Sequence, residues 1–285
     1  MNSNILKAIM NLVDTPNYKL RETYQENHNR ANSMGDALEE YIKDIFSETY
    51  NIENQKERLE KISEVFSYLG NNSNPPDAML KNGDAIEVKK IESNNSALAL
   101  NSSYPKHKLY ADSNMLSSAC KSAENWNEKD IIYAVGVTND DKLLNLSFVY
   151  GLDYCASEET YTKIKTKIKD GVECIPGVEF SETKELGRVN KVDPLGITYL
   201  RVRGMWGIEN PWTVFNYVYT KDTKKEFNFF AIINKKKYLE FSSEDRNNFE
   251  RFIKNNNLLA MTEVKIKDPD NPAKLNDAYL ITYSI

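Results

Sequence analysis

Residues 74–91 read NPPDAMLKNGDAIEVKKI, which predicts a strand, a turn and a second strand. Asn82-Gly83 is the strongest short hairpin signal available, since a two-residue loop demands positive φ at both positions. Side chains alternate along a strand, so Glu87 and Lys89 share one face while Ile86 and Val88 share the other, predicted to be buried. With Asp77 upstream after Pro75-Pro76, the pattern is PD followed by ExK. Asp77, Glu87, the backbone carbonyl of Val88 and waters make a hard oxygen set that suits Mg²⁺, with positions left for a phosphate and a water. A lysine beside such an ion orients the attacking water, helps to deprotonate it, or stabilises phosphoryl charge. A two-residue loop, however, pairs Lys81 with Asp84 and sets Asp77 opposite Val88, on the wrong face. A one-residue irregularity is therefore expected, either a three-residue turn or a β-bulge, setting Asp77 opposite Lys89. By composition, roughly one chain in ten of this size carries such a pattern by chance. An ordinary half-exposed strand thus stays open as the alternative.

Working outward, residues 4–13 repeat Ile5, Ile9, Leu12 and Val13 at helical spacing. Ser33 and Asp36 resemble a capping box opening a second helix, with Leu38, Tyr41, Ile42 and Ile45 as its buried stripe. Glu39 lies at the edge of that stripe, and Glu40 falls with Asp36 and Asp44 on the polar face, which reads as solvated. QKERLEKISEVF continues as helix, residues 131–137 and 143–150 form a second hairpin, and Ser157-Glu158-Glu159 caps a helix ending at Gly171. A strand is expected at ITYLRVR, 197–203. The last third alternates WTVFNYVY, FNFFAII, a capped helix at EDRNNFERFIK and two β-rich segments, and reads as an aromatic, mostly β scaffold. The fold class is mixed α/β. Residues 1–180 are assigned to a catalytic core, and 181–285 to a recognition segment and a β-rich C-terminal region fused into the same compact domain.

Composition narrows the chemistry. The chain has 285 residues, 40% apolar and 28% charged, enough to bury a core. No apolar run approaches the ~18 to 20 residues of a membrane span, and the first helix lacks the leader of a secretory signal, so a cytoplasmic protein is expected. Cys120, Cys155 and Cys174 are too far apart for a zinc pair and are expected to be reduced. With His28 and His107 as the only histidines, hard chemistry falls to carboxylates, lysines or a bound ion. A net charge of −5 argues against bulk electrostatic coating of nucleic acid but permits a local basic cleft.

Beyond the catalytic letters, MGDALEEY followed by NPPDAMLKNGDAIEVKKI resembles the PD-(D/E)xK nuclease superfamily. ALALNSSYPKHKLYADS (97–113) and FSETKELGRVNKVDPLGITYLRVRGMW (180–206) resemble NgoPII-type type II restriction endonucleases, over about residues 4 to 215. The resemblance implies a restriction-endonuclease-like core with a central mixed sheet flanked by helices. It further implies an Mg²⁺-dependent enzyme, with Mn²⁺ as a substitute, that cuts both strands of double-stranded DNA at the palindrome GGCC between G and C, leaving blunt ends. A companion DNA methyltransferase protecting host DNA belongs to the same picture. Residue by residue, Asp77 and Glu87 would hold the metal, Lys89 would serve the water and phosphate, and Glu39 would be the helix-borne acid, with Glu40 beside it as the alternative.

Lys184, Arg188, Lys191, Arg201 and Arg203 outnumber Glu185 and Asp193 in one segment, as a DNA cleft requires. Arg188, Asn190 and Lys191 are placed in a loop that follows phosphates or base edges. In ITYLRVR, Leu200 and Val202 are expected on a core face, with Tyr199, Arg201 and Arg203 opposite. The two arginines then face either guanines, phosphates, or the acids Glu182, Glu185 and Asp193. Ser102, Ser103, Lys106 and His107 either grip phosphates or form a solvated loop, and Trp206 is expected to be buried. A palindromic target implies a homodimer. A repair or junction nuclease and a noncatalytic DNA-binding module remain as alternative functions.

Overall fold

The apolar run behind Asn4 becomes α1 (Ile5–Asp14), and the Asn4 side chain accepts from the Leu6 and Lys7 amides as its N-cap. In the computed structural model, residues 3–15, 18–20, 30–71, 74–175, 179–181 and 187–285 are described, with backbone alone at 30–34 and 179–181. His28, Glu182, Lys184 and Glu185 lie outside the described residues. Helices α2 (Arg30–Ser47) and α3 (Gln55–Val65) follow. β1 (Phe66–Asn71), β2 (Asn74–Leu80), β3 (Ala85–Ile91), β4 (Leu98–Asn101) and β5 (Lys108–Tyr110) lead to α4 (Ser118–Ser122). Next come β6 (Glu128–Asn139), β7 (Lys142–Tyr150), α5 (Gly151–Tyr154), α6 (Glu158–Glu173), β8 (Glu179–Ser181), β9 (Gly187–Asn190), β10 (Leu200–Val202) and β11 (Trp206–Ile208). The chain closes with α7 (Pro211–Val214), β12 (Asn228–Asn234), α8 (Lys235–Glu240), α9 (Ser243–Asn255), β13 (Leu259–Lys267) and β14 (Leu275–Ser284).

The principal sheet runs β1-β2-β3-β6-β7-β12-β14-β13, with β5 attached to β6. β3–β6 and β7–β12 are parallel and the other pairs antiparallel, so the sheet is mixed as expected. Its central strands are buried on both faces and read as near-continuous apolar runs. One face packs Leu38, Ile42, Ile86, Val88, Phe148 and Phe229 under α1, α2 and α9. The other packs Met79, Tyr133, Val135, Phe230 and Ile232 against Trp212 and Phe215. The C-terminal third is more than a scaffold at one edge, because β12 lies between β7 and β14.

Several local expectations are corrected. α2 is already helical at Arg30, so Ser33 stands inside the helix and not at its opening. Ser157 precedes α6 without a side-chain cap; its hydroxyl donates instead to Asp270 at 3.0 Å. WTVF opens as helix α7, because the Asn210 side chain accepts from the Thr213 amide and Pro211 sits in the first turn. Leu200 is 55% exposed: β10 belongs to a separate sheet, β10-β9-β8, and has no buried core face to offer it. The three cysteines are free thiols.

Glu40 is not a solvated acid. Arg58 of α3, buried, donates to Glu40 Oε2 and to Asp44 Oδ1, each at 2.7 Å, and Asp44 is fully buried. Burial alone lifts the Glu40 carboxyl, but Lys43 and Arg58 outweigh it and hold Glu40 below its usual range. This ion network ties α2 to α3. Arg58→Met leaves Asp44 as an uncompensated buried charge. Urea unfolding is expected to show a loss of about 3 to 5 kcal/mol, and a change below 1 kcal/mol would contradict the assignment.

Candidate active site

The predicted irregularity is present, but it slips the other way. β2 and β3 pair Ala78 with Ile86 and Met79 with Ala85. The Leu80 amide donates to the Asp84 carbonyl at 2.9 Å, closing a three-residue turn of Lys81, Asn82 and Gly83, with Asn82 alone in the left-handed region at φ 52°. Continuing the count sets Asp77 opposite Glu87, not Lys89. Directly opposed residues share a face, so Asp77, Glu87 and Lys89 all project to the same side. Gly70 of β1 makes room there: a Cβ at that position would stand 2.7 Å from the Asp77 Cα. No sequence signal marked Gly70, because nothing along the chain betrays which strand crosses it.

The three side chains form one cluster. Lys89 Nζ lies 2.6 Å from Glu87 Oε1 and 3.8 Å from Asp77 Oδ2, and it donates to the Val88 carbonyl at 3.1 Å. The Val88 amide donates to Asp77 Oδ2 at 2.6 Å. Amide and carbonyl of one strand residue point the same way, so the Val88 carbonyl also faces Asp77. Burial, and then the Glu87 carboxylate, push the Asp77 carboxyl up to about 8. Burial draws Lys89 down, yet Glu87 and Asp77 more than offset it and hold the ammonium above the ordinary lysine range. Burial also raises Glu39, with Lys43 and Lys89 opposing and Asp36 and Glu87 adding, so the charges of the cluster are felt at Glu39.

Glu87 Oε2 is buried and has no hydrogen-bond partner among the described residues. An orphaned anionic oxygen of this kind calls for a cation. Together with Asp77 and the Val88 carbonyl it offers a donor set that fits a hard divalent ion. Among the described residues no three acidic, His or Cys side chains converge into a closed cage, and Mg²⁺ ordinarily uses only one or two carboxylates and keeps its waters.

The expected DNA-facing residues separate. Ser102 is exposed, and Ser103 and His107 are partly so. Lys106 does not stand in solvent: it is 7% exposed, its Nζ lies 3.1 Å from the Tyr104 ring centroid, and burial lowers it to about 8. It is therefore not the solvated residue that a polar loop implies. Arg188 and Asn190 lie on strand β9, not in a loop, and Lys191 follows it in the left-handed region. Arg188 stacks 3.9 Å from the Tyr199 ring and pairs across strands with Arg201. Arg203 is exposed just beyond β10. Trp206 is half-buried against Tyr104 and Tyr161.

Two acids and a lysine on adjacent strands of a mixed sheet, beside a helix-borne acid, are the layout of a metal-assisted phosphodiesterase. The NgoPII restriction endonuclease family matches residues 3–267, and the chain belongs to that family. It is 58% identical over 283 residues to the type II restriction enzyme NgoPII of Neisseria gonorrhoeae, covering 99% of this chain and 100% of that protein. No solved structure matches. The chain is thus a type II restriction endonuclease, a site-specific deoxyribonuclease that binds double-stranded DNA, and enzymes of this class generally use divalent metal ions.

Because folding raises the proton affinity of Asp77, its contribution to stability is full below about pH 4 and is lost as the pH rises to about 8. Metal-free Asp77→Asn is expected to melt above the wild type at pH 8 and level with it near pH 4. Melting curves in chelator that run parallel over that interval would contradict the assignment.

Proposed function

We propose that the protein makes Mg²⁺-dependent double-strand cuts at GGCC, between G and C, and that Mn²⁺ can replace Mg²⁺. The observation that carries the reading is the shared face of Asp77, Glu87 and Lys89 around the orphaned Glu87 oxygen. Asp77, Glu87 and the Val88 carbonyl would hold the ion, with Glu39 as the additional acid. The bound ion supplies Lewis acidity to the phosphate and a water of lowered pKa. Glu87 and Asp77 hold Lys89 charged in the metal-free site; beside a bound ion it would orient the water, help to deprotonate it or stabilise the phosphoryl charge. The choice of GGCC rests on the likeness of 97–113 and 180–206 to the NgoPII-type enzymes.

Ser102, Ser103, His107, Arg188, Asn190, Lys191, Arg201 and Arg203 are assigned to DNA. The facing of Arg201 and Arg188 across β9 and β10 supports this, since it brings two guanidiniums, the side chain best suited to phosphate and guanine, together on one small sheet. In this reading residues 1–180 carry the cutting groups, while 181–285 carry recognition and complete the sheet. A palindromic site matches a homodimer, one active site per strand. A companion methyltransferase and a cytoplasmic location belong to the same reading; among the described residues no helix is long and apolar enough to cross a membrane.

Phage DNA digested with and without Mg²⁺, followed by sequencing of fragment ends, is expected to give blunt GG/CC termini only with metal. Ends scattered over other sequences would point to a repair or junction nuclease. Asp77→Ala, Glu87→Ala and Lys89→Ala are each expected to abolish cleavage while GGCC is still bound; cleavage surviving in Asp77→Ala would remove it from the site. Arg201→Ala or Arg203→Ala is expected to weaken specific binding by about 1 to 3 kcal/mol with nonspecific binding little changed. A parallel fall in both affinities, with a shallower salt slope, would mark a phosphate contact instead.

A further inference from the structure

The turn that sets Asp77 opposite Glu87 runs against its own sequence. Asn-Gly favours a two-residue loop, and that loop would rotate β2 so that Asp77 joins Val88 on the opposite face. Burial of the apolar residues of β2 does little to choose between the two registers, because they lie on both sides: Ala78 and Leu80 are buried on one face and Met79 on the other.

What does choose is a set of contacts from outside the hairpin. Lys129 of β6 donates to the Gly83 carbonyl at 2.6 Å and to the Leu80 carbonyl at 3.4 Å, and it pairs with Glu124. Glu124 Oε2 in turn accepts the Asn82 amide at 3.0 Å, and the Lys81 amide donates to the Val65 carbonyl at 2.9 Å. Lys237 of α8 donates to Asp84 Oδ1 at 2.7 Å and to Asp130 Oδ2 at 2.6 Å, while Tyr150 donates to Asp84 Oδ2 at 2.7 Å. Asp84 is 7% exposed and Lys129 6%, so these bonds form where water competes weakly. Every position from Leu80 to Asp84 is thereby held in the three-residue geometry.

We propose that Lys129 and Lys237 are positioning residues: they select the three-residue turn and so keep Asp77 on the metal-binding face with Glu87 and Lys89. The inference rests on the metal-site reading above. Neither lysine bonds to Asp77, Glu87 or Lys89; each acts through the turn.

The test measures Mn²⁺ binding to DNA-free protein by electron paramagnetic resonance, alongside cleavage and thermal melting. Lys129→Met and Lys237→Met are each expected to weaken Mn²⁺ binding about 10- to 100-fold, as loss of groups supporting metal ligands does, with cleavage falling in step. Rescue separates register from general damage. Gly83 is not in the left-handed region here, and a Cβ on it would stand 3.1 Å from Leu80 Cβ, so the turn must give by a few tenths of an ångström. In the competing two-residue loop Gly83 must take positive φ, which alanine resists. Gly83→Ala added to either lysine variant is therefore expected to restore most of the Mn²⁺ affinity. Unchanged Mn²⁺ binding in both lysine variants, or a loss that Gly83→Ala does not repair, would overturn the proposal. A lysine variant that folds only when Gly83→Ala is added supports it; one that stays unfolded even then counts against it. Wild-type protein that binds no Mn²⁺, or binds it equally well as Glu87→Ala, would instead refute the metal-site reading before either lysine is changed.

Discussion

One backbone hydrogen bond, from the Leu80 amide to the Asp84 carbonyl, sets the register on which the active site depends. Moving it by a single residue would transfer Asp77 to the core face, where a carboxylate faces Ile86 and Val88 and no metal ligand. Neighbouring features support this one constraint. Gly70 leaves β1 room to pass Asp77, β6 fixes β3 from its other edge through the parallel ladder from Ala85 to Ile91, and Arg58 ties α2 to α3.

Within that cluster Lys89 plays the part of a resident cation. Its ammonium lies against Glu87 and the Val88 carbonyl, two of the groups assigned to the ion. The lysine therefore offsets part of the repulsion that lifts Asp77, and an arriving metal must compete with it for Glu87. Tight local pairing of this kind lets an acidic cluster stay folded in its empty state, at the cost of some affinity for the metal.

The sequence made the hairpin, the central strands and the main helices legible because each follows a simple period: alternation at Ile86 to Lys89, and three-to-four spacing at Leu38, Tyr41, Ile42 and Ile45. It also made the need for an irregular turn legible, since facing was a matter of counting. The sense of the slip was not, because it is decided by Lys129, Glu124 and Lys237, which arrive from distant parts of the chain. Glu40 and Lys106 were misjudged for the same reason. Helical phase marks Glu40 as outward-facing, and only the packing of α3 supplies Arg58; a polar loop sequence marks Lys106 as wet, and only the fold lays Tyr104 over it. Leu200 failed in the reverse sense, since alternation implies a buried face only when a second layer lies over the strand.

The sheet order also dictates when a cutting site can exist. β12 inserts between β7 and β14, and Lys237 follows directly behind it, far along the chain from the turn it holds. A chain emerging from the ribosome thus presents Asp77, Glu87 and Lys89 long before the strand and lysine that complete their support. For an enzyme that cuts DNA, this ordering holds back the supported form of the cutting centre until β12 and Lys237 have been made.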